Sequence, residues 1–333
     1  MIRLKLAFRT GDTHPNDREH ALTTTDRPEQ TGSTPVRQRS AAATIARKGI
    51  LITVACGGLF VLVYAVALHT EIGQRFEDAV WAGSGQVSTL RATQASNALS
   101  WIGNTTGTIA VAGIFLIGLL RRRIALALAG VGIVLASVGS AEFLKDTLTR
   151  PDLDPANYSP GGNSFPSGHT AVAMAVMFAL ILVVPYRIRG MVAFCSAALA
   201  TMIGALTVIA RWHRPSDTLG ADLMVLCFTS LAVLILAMLG HVRTADLHTP
   251  VGKTARSVFA LGPLAIGTGA ALCGALLLAT VTYFHPVEVE PSLESSHAAF
   301  FAGCLFALAG SGLVTLALLW LLARIDLAPA DRK

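Results

Sequence analysis

The sequence predicts an all-α, polytopic membrane protein from its composition, the length of its apolar runs and the absence of strand-like alternation. Of 333 residues, 53% are hydrophobic and 14% charged, and the mean hydropathy is +0.59. That balance lies far outside the composition of soluble domains. Several apolar runs reach the roughly 20 residues that a helix needs to cross a bilayer. None alternates as a membrane barrel strand would. The net charge of +6 could suit nucleic acid or anionic lipid, but in a membrane protein the placement of basic residues says more than their sum. No nucleic-acid role is expected. Cys56, Cys195, Cys227, Cys273 and Cys304 all fall in apolar runs without metal-ligand spacing, so they read as small buried packing residues.

In chain order, residues 1–46 are rich in Thr, Arg, Asp, Pro and Gln, with no aromatic after Phe8. Such a segment cannot offset its ordering entropy, and a disordered tail is predicted. It is not a cleavable signal peptide, because the first long apolar run follows Arg47-Lys48 and no small-residue cleavage site comes after it. That run, about 49–69, is the first span. Residues 70–100 are mixed and suit short amphipathic helices at the interface. Further spans are predicted at about 101–120, 124–144, 167–184, 190–210 and 218–240. They complete a core over residues 47–240, which a basic loop at 241–257 separates from a C-terminal region, 258–333, holding spans at about 258–282 and 298–323. An acidic loop with Glu288, Glu290 and Glu294 joins that last pair.

With the amino terminus inside, the basic tail, Arg121 to Arg123, Arg187, Arg189, Arg243, Lys253, Arg256, Arg324, Arg332 and Lys333 share the cytoplasmic side. This satisfies the positive-inside rule and puts both termini in the cytoplasm of a plasma-membrane protein. Arg75, Arg91, Lys145, Arg150, Arg211 and Arg214 then lie outside, most of them in two loops flanking the stretch Asn163 to His169. Cations that break the topological rule need another reason, and an anionic substrate is one.

Three polar segments end up on that outer side: Lys145 to Pro151, the Pro166-Ser167-Gly168-His169 turn, and Arg211 to Asp217. The turn opens an apolar helix whose first N–H groups lack intrahelical partners and attract anions, above all phosphate. His213 and Asp217 are four apart, the spacing at which a carboxylate can accept one imidazole N–H and stabilise the charge of a nucleophilic histidine. His169 is placed to protonate a departing alkoxide. Lys145, Arg150 and Arg211, with Ser167 and Gly168 of the turn, would hold the phosphate oxygens. No metal or other cofactor is needed for this set of parts. Glu142, Asp146, Asp152 and Asp222 are expected at solvated or interfacial positions, and Trp212 and Tyr158 as interfacial aromatics.

The three segments resemble the signature motifs of the type 2 phosphatidic acid phosphatase (PAP2) superfamily, which includes membrane lipid phosphatases, polyprenyl-pyrophosphate phosphatases and the soluble vanadium haloperoxidases. The resemblance covers about 145–217 by motif and the first six spans by layout. It implies a six-helix core, extended here by two C-terminal helices, and a phosphoric monoester or acid anhydride hydrolase. In that scheme His213 is the nucleophile, His169 the general acid, and the substrate a lipid phosphate held in the bilayer, such as phosphatidic acid or undecaprenyl pyrophosphate.

Two spacings depart from the family pattern. Four residues separate Lys145 from Arg150, where the family has six. Two helical residues amount to about 200° of rotation, but Arg150 precedes a proline, so the helix should end before it and the loop should absorb the difference. In the third motif the family's arginine position is Thr207, and Arg211 is the expected replacement, one helical turn or about 6 Å toward the mouth. Arg214 is a further candidate cation. A phosphotransferase using the same site, a family member that binds phosphate without turnover, and a lipid transporter or binding protein are the alternatives. The last predicts related halves and helices broken at the bilayer midplane, and no internal repeat is evident.

Overall fold

In the computed structural model, residues 34–102, 104–153, 162–244 and 293–327 are described, together with scattered positions between 262 and 280. Residues 1–33, the basic loop beyond Thr244, much of the span predicted at 258–282, Glu288 and Glu290, and Tyr158 lie outside the described residues. Among the described residues the regular structure is helical, apart from a two-residue pairing noted below.

The first helix, α1 (Thr34–His69), starts inside the segment expected to be a disordered tail. The alanines at 41–43 continue its helical run outward from the apolar span. Thr70 then caps α2 (Glu71–Ser84), its hydroxyl accepting from Gly73 N at 3.1 Å. The interfacial region also forms α3 (Thr89–Ser100), which leads into α4 (Asn104–Leu120) with a 45° bend between them.

The core follows as α5 (Ile124–Thr147), α6 (Gly168–Val183), α7 (Arg189–Ile209) and α8 (Pro215–Met238). Ser167 caps α6 and Pro185 follows its end, while Pro215 opens α8 at the helix position where its missing N–H costs nothing. A last helix, α9 (Leu293–Leu321), closes the bundle.

Among the described residues, five helices are long and apolar enough to cross a membrane: α1 from Ala42, α5, α7, α8 and α9 from Ser295. The bent pair α3–α4 makes a sixth candidate, and α6 is apolar but shorter. α8 runs through the middle, packed against α1, α5, α6 and α9. Large apolar side chains on α1, α4 and α5, such as Val54, Leu120 and Leu135, face outward, as expected where lipid replaces water.

At 16 residues, α6 is about 24 Å long. That is shorter than the roughly 30 Å hydrocarbon core, so one of its ends must be recessed.

At the basic end of the bundle, the cations expected from the topology also satisfy backbone carbonyls, most of them at helix C-termini. Arg121 donates to Val183 O, Arg189 to Ile181 O (3.2 Å) and Ile325 O (2.8 Å), and Lys48 to Trp320 O (3.1 Å). β1 (Arg243–Thr244) pairs antiparallel with β2 (Ile325–Asp326), and Arg243 Nη2 lies 2.9 Å from Asp326 Oδ2.

Two sequence expectations change. Asp222 is neither solvated nor interfacial: it is fully buried in α8, where Ser311 of α9 donates to it at 2.8 Å. Cys195 and Cys273 are exposed on apolar helices instead of buried, because those faces would meet lipid.

Candidate active site

At the opposite end of the bundle, the three polar segments meet. Asp217 sits in the first turn of α8 and is fully buried. Its Oδ2 accepts three hydrogen bonds, from Ser164 Oγ (2.7 Å), Arg214 N (2.9 Å) and His213 Nδ1 (3.3 Å). The bond from Arg214 N is a first-turn acid reaching back to the residue before the helix, so Asp217 has a capping role as well as its contact with His213. Oδ1 is buried with no partner among the described residues. With Nδ1–H donated to Asp217, Nε2 of His213 carries the lone pair. The 3.3 Å separation exceeds the range typical of charge-assisted pairs and leaves room to tighten as the ring gains charge.

The Pro166 to His169 turn is fastened to this helix. Ser167 N donates to Asp217 O at 2.9 Å. Phe165 is fully buried and stacks on Phe60 at 5.1 Å, and its ring lies so close to Gly220 that a Cβ there would come within 2.4 Å. His169 is half-buried, with its ring centroid 6.0 Å from that of His213 and 4.9 Å from Trp212. Trp212, expected only as an interfacial aromatic, thus packs against His169.

Ser167 Oγ accepts from Thr170 N at 3.2 Å, which leaves its hydroxyl proton and, by position, the amides of Gly168 and His169 for an anion.

Lys145 converges on the turn. A Cβ on Gly168 would lie 2.9 Å from its Nζ, so glycine is what allows the ammonium this close. Its partner is the exposed Glu142 at 2.8 Å, a weak tie that an anion can replace. Asn163 joins the first two motifs, its side-chain amide donating to Leu148 O (3.0 Å) and Phe165 O (3.1 Å).

Arg150 follows the end of α5 in the loop, as its proline neighbour requires. One guanidinium nitrogen, Nη2, sits 2.9 Å from Glu77 Oε2. The other, Nη1, is buried with no partner among the described residues.

The third-motif cations are arranged differently from the simple one-turn step. α7 ends at Ile209, and Arg211 has left the helix with φ +59, so it does not continue the helix face of Thr207. It is exposed and lies over the Trp81 ring at 5.0 Å. Arg214 is buried, 5.4 Å from the same ring and 3.9 Å from Asp78. Burial lowers its guanidinium pKa, with the nearby Arg150 adding to the effect. Thr207 uses its hydroxyl on Gly204 O (2.7 Å) and Thr218 (3.2 Å), a neutral junction in the core.

Glu77 is the residue that motif reading overlooked. It is 2% exposed and comes from α2. Besides Arg150 it accepts from Ser216 N at 3.3 Å, at the start of α8. Burial pushes its carboxyl pKa up, with Arg150 pulling against that. The available signal was the polar stripe Gln74, Glu77 and Ser84 on the buried face of an otherwise amphipathic helix.

Taken together, fold and site define an all-α membrane protein with two neighbouring histidines, one of them backed by a carboxylate, at helix ends amid cations and helix N-termini. Residues 123–241, from the start of α5 to just past α8, match the family model of the PAP2 superfamily. The match covers about a third of the chain and points to phosphatase-type activity. No curated protein and no solved structure matches the chain.

Proposed function

We propose that the protein hydrolyses a lipid phosphate or pyrophosphate through a phosphohistidine, at the extracytoplasmic face of the plasma membrane. The observation that carries this reading is the Asp217–His213 pair facing His169 at a ring-centroid distance of 6.0 Å. At that separation a single phosphate group set beside the pair can lie within reach of both rings.

His213 Nε2 attacks phosphorus, the bond to the leaving oxygen breaks, and His169 supplies that oxygen's proton. Water then attacks the phosphohistidine, His169 takes the water's proton, and the P–N bond breaks to release inorganic phosphate. Lys145, Arg150, Arg211 and the Ser167-Gly168 turn hold the non-bridging oxygens, with Arg214 as a buried addition.

Two features support an amphiphilic substrate. α6 is too short to span the hydrocarbon core by itself, and an apolar cavity of about 540 Å³ opens between α3–α4, α6 and α7, lined by residues such as Trp101, Val172, Val176, Cys195 and Leu206. Its size falls in the range of ligand pockets, and Val172 stands one turn below His169. Most of the described topological arginines lie at the other end of the bundle, which by the positive-inside rule supports an outward-facing site.

Purified protein should release phosphate from lipid phosphates in a panel that includes phosphatidic acid and a polyprenyl pyrophosphate, and a chelator should leave the rate unchanged. No release from any of them would refute the reading, and loss of activity with chelator would refute its metal-free chemistry. The Val176→Trp variant should lower kcat/KM about 10-fold for a long-chain substrate, since burial of only a few methylenes need be lost, while a short soluble phosphate ester is turned over as before. Equal losses on both substrates would remove the cavity from the account.

A further inference from the structure

The superfamily match begins at residue 123, yet Arg150 is held from outside it. Tyr64 of α1 donates to Thr149 O at 3.0 Å. On α2, Gln74 donates to Pro151 O at 2.6 Å and accepts from Leu153 N at 3.1 Å. Between these anchors Glu77 takes one end of the Arg150 guanidinium and, through its other oxygen, the Ser216 amide of α8. Further along α2, Trp81 lies beneath both Arg211 and Arg214. One short helix therefore touches each of the three arginines of the collar.

α2 is itself held by α9, for which the motifs supply no role. Gly83 of α2 lies so close to α9 that a Cβ would come within 2.0 Å of Ser296 O. Gly303 of α9 is wedged between Val80 of α2 and Pro215 at the start of α8, where a Cβ would meet atoms of both within 3 Å.

We propose that Glu77 is a positioning residue for Arg150, and that α2, clamped by α9, forms a wall of the phosphate site that the superfamily region alone lacks. A guanidinium fixed at one edge by a buried carboxylate presents its other edge in a single orientation, and Nη1 is the nitrogen left to meet a phosphate oxygen. Glu77 also keeps the buried cations near balance, since Arg150 and Arg214 both lie within its electrostatic reach. The inference rests on the proposed phosphatase reading for its kinetics, though not for its binding readout.

The test is a double-mutant cycle on the full-length protein, measuring kcat, KM and the affinity for inorganic phosphate. Glu77→Gln keeps an acceptor for Ser216 N and removes the charge, so it should raise KM and weaken phosphate binding, each about 10-fold, with a smaller change in kcat. Glu77→Asp should restore part of the loss. In an Arg150→Ala background Glu77→Gln should have little further effect, because groups that act through one another are not additive. Gly83→Val, which moves α2 without touching any cation, should reproduce the rise in KM.

Additive losses, or a Glu77→Gln protein with unchanged KM and phosphate affinity, would overturn the proposal. If the wild type binds phosphate but releases none from any substrate, the phosphatase reading fails, while the binding comparison still decides the role of Glu77.

Discussion

His213→Ala should lower phosphate release by about 10⁴-fold or more, to the level at which only binding and the anion-stabilising groups act. The expectation follows from the geometry around the ring. Asp217 takes one imidazole nitrogen, the ring lies 6.0 Å from that of His169, and no second nucleophile is assigned beside it. His169 cannot take over, since it packs on Trp212 and no carboxylate backs it as Asp217 backs His213. The removed side chain is 9% exposed and sits in the loop before α8, so the variant should fold. Rapid-quench labelling with a phosphate-labelled substrate should give an acid-labile phosphoprotein in the wild type and none in the variant. A variant retaining a tenth of wild-type release would remove His213 from the nucleophile role.

The second large effect is expected at Asp217, where two substitutions separate charge from hydrogen bonding. All three donors converge on Oδ2, while Oδ1 has no partner among the described residues. In Asp217→Asn the amide oxygen can occupy the Oδ2 position and keep Ser164, Arg214 and His213 bonded. What is lost is the negative charge that stabilises the imidazole as it becomes cationic. The amide nitrogen is then buried without an acceptor, costing about 1–3 kcal/mol of stability.

This variant should fold with a lowered Tm and lose about 10²-fold in kcat. Asp217→Ala strands all three donors and releases the turn at Ser164, so it should lose about 10⁴-fold and unfold at a still lower temperature. Measuring kcat and Tm together separates the cases. Wild-type kcat in Asp217→Asn would show that the carboxylate's charge does not act on His213.

Much of the site was legible because its chemistry is local. Four residues bring His213 and Asp217 together, and Pro166 to His169 marks a helix start on sight. The proline after Arg150 correctly placed the end of α5 in the sequence. Where the reading went astray, a helix was assumed to continue: the one-turn step from Thr207 to Arg211 fails because α7 stops at Ile209 and Arg211 turns to φ +59. Arg214, named only as a further candidate cation, is buried against α2. Asp222 was placed at the interface because nothing near it in sequence announces Ser311.

The sequence by itself determined the all-α membrane class, the grouping of three polar segments through the parity of the spans, and the pairing of His213 with Asp217. These follow from hydropathy, helix period and capping, which act over a few residues. Only the tertiary structure decided which partner holds Arg150, which arginine is buried, and why α2 and α9 belong to the site. Glu77 and Ser216 are 139 positions apart, and no periodic pattern encodes a contact at that range. It exists because a buried guanidinium and a helix N-terminus must find a carboxylate, and because glycines at 83 and 303 let α9 press α2 close enough to supply one.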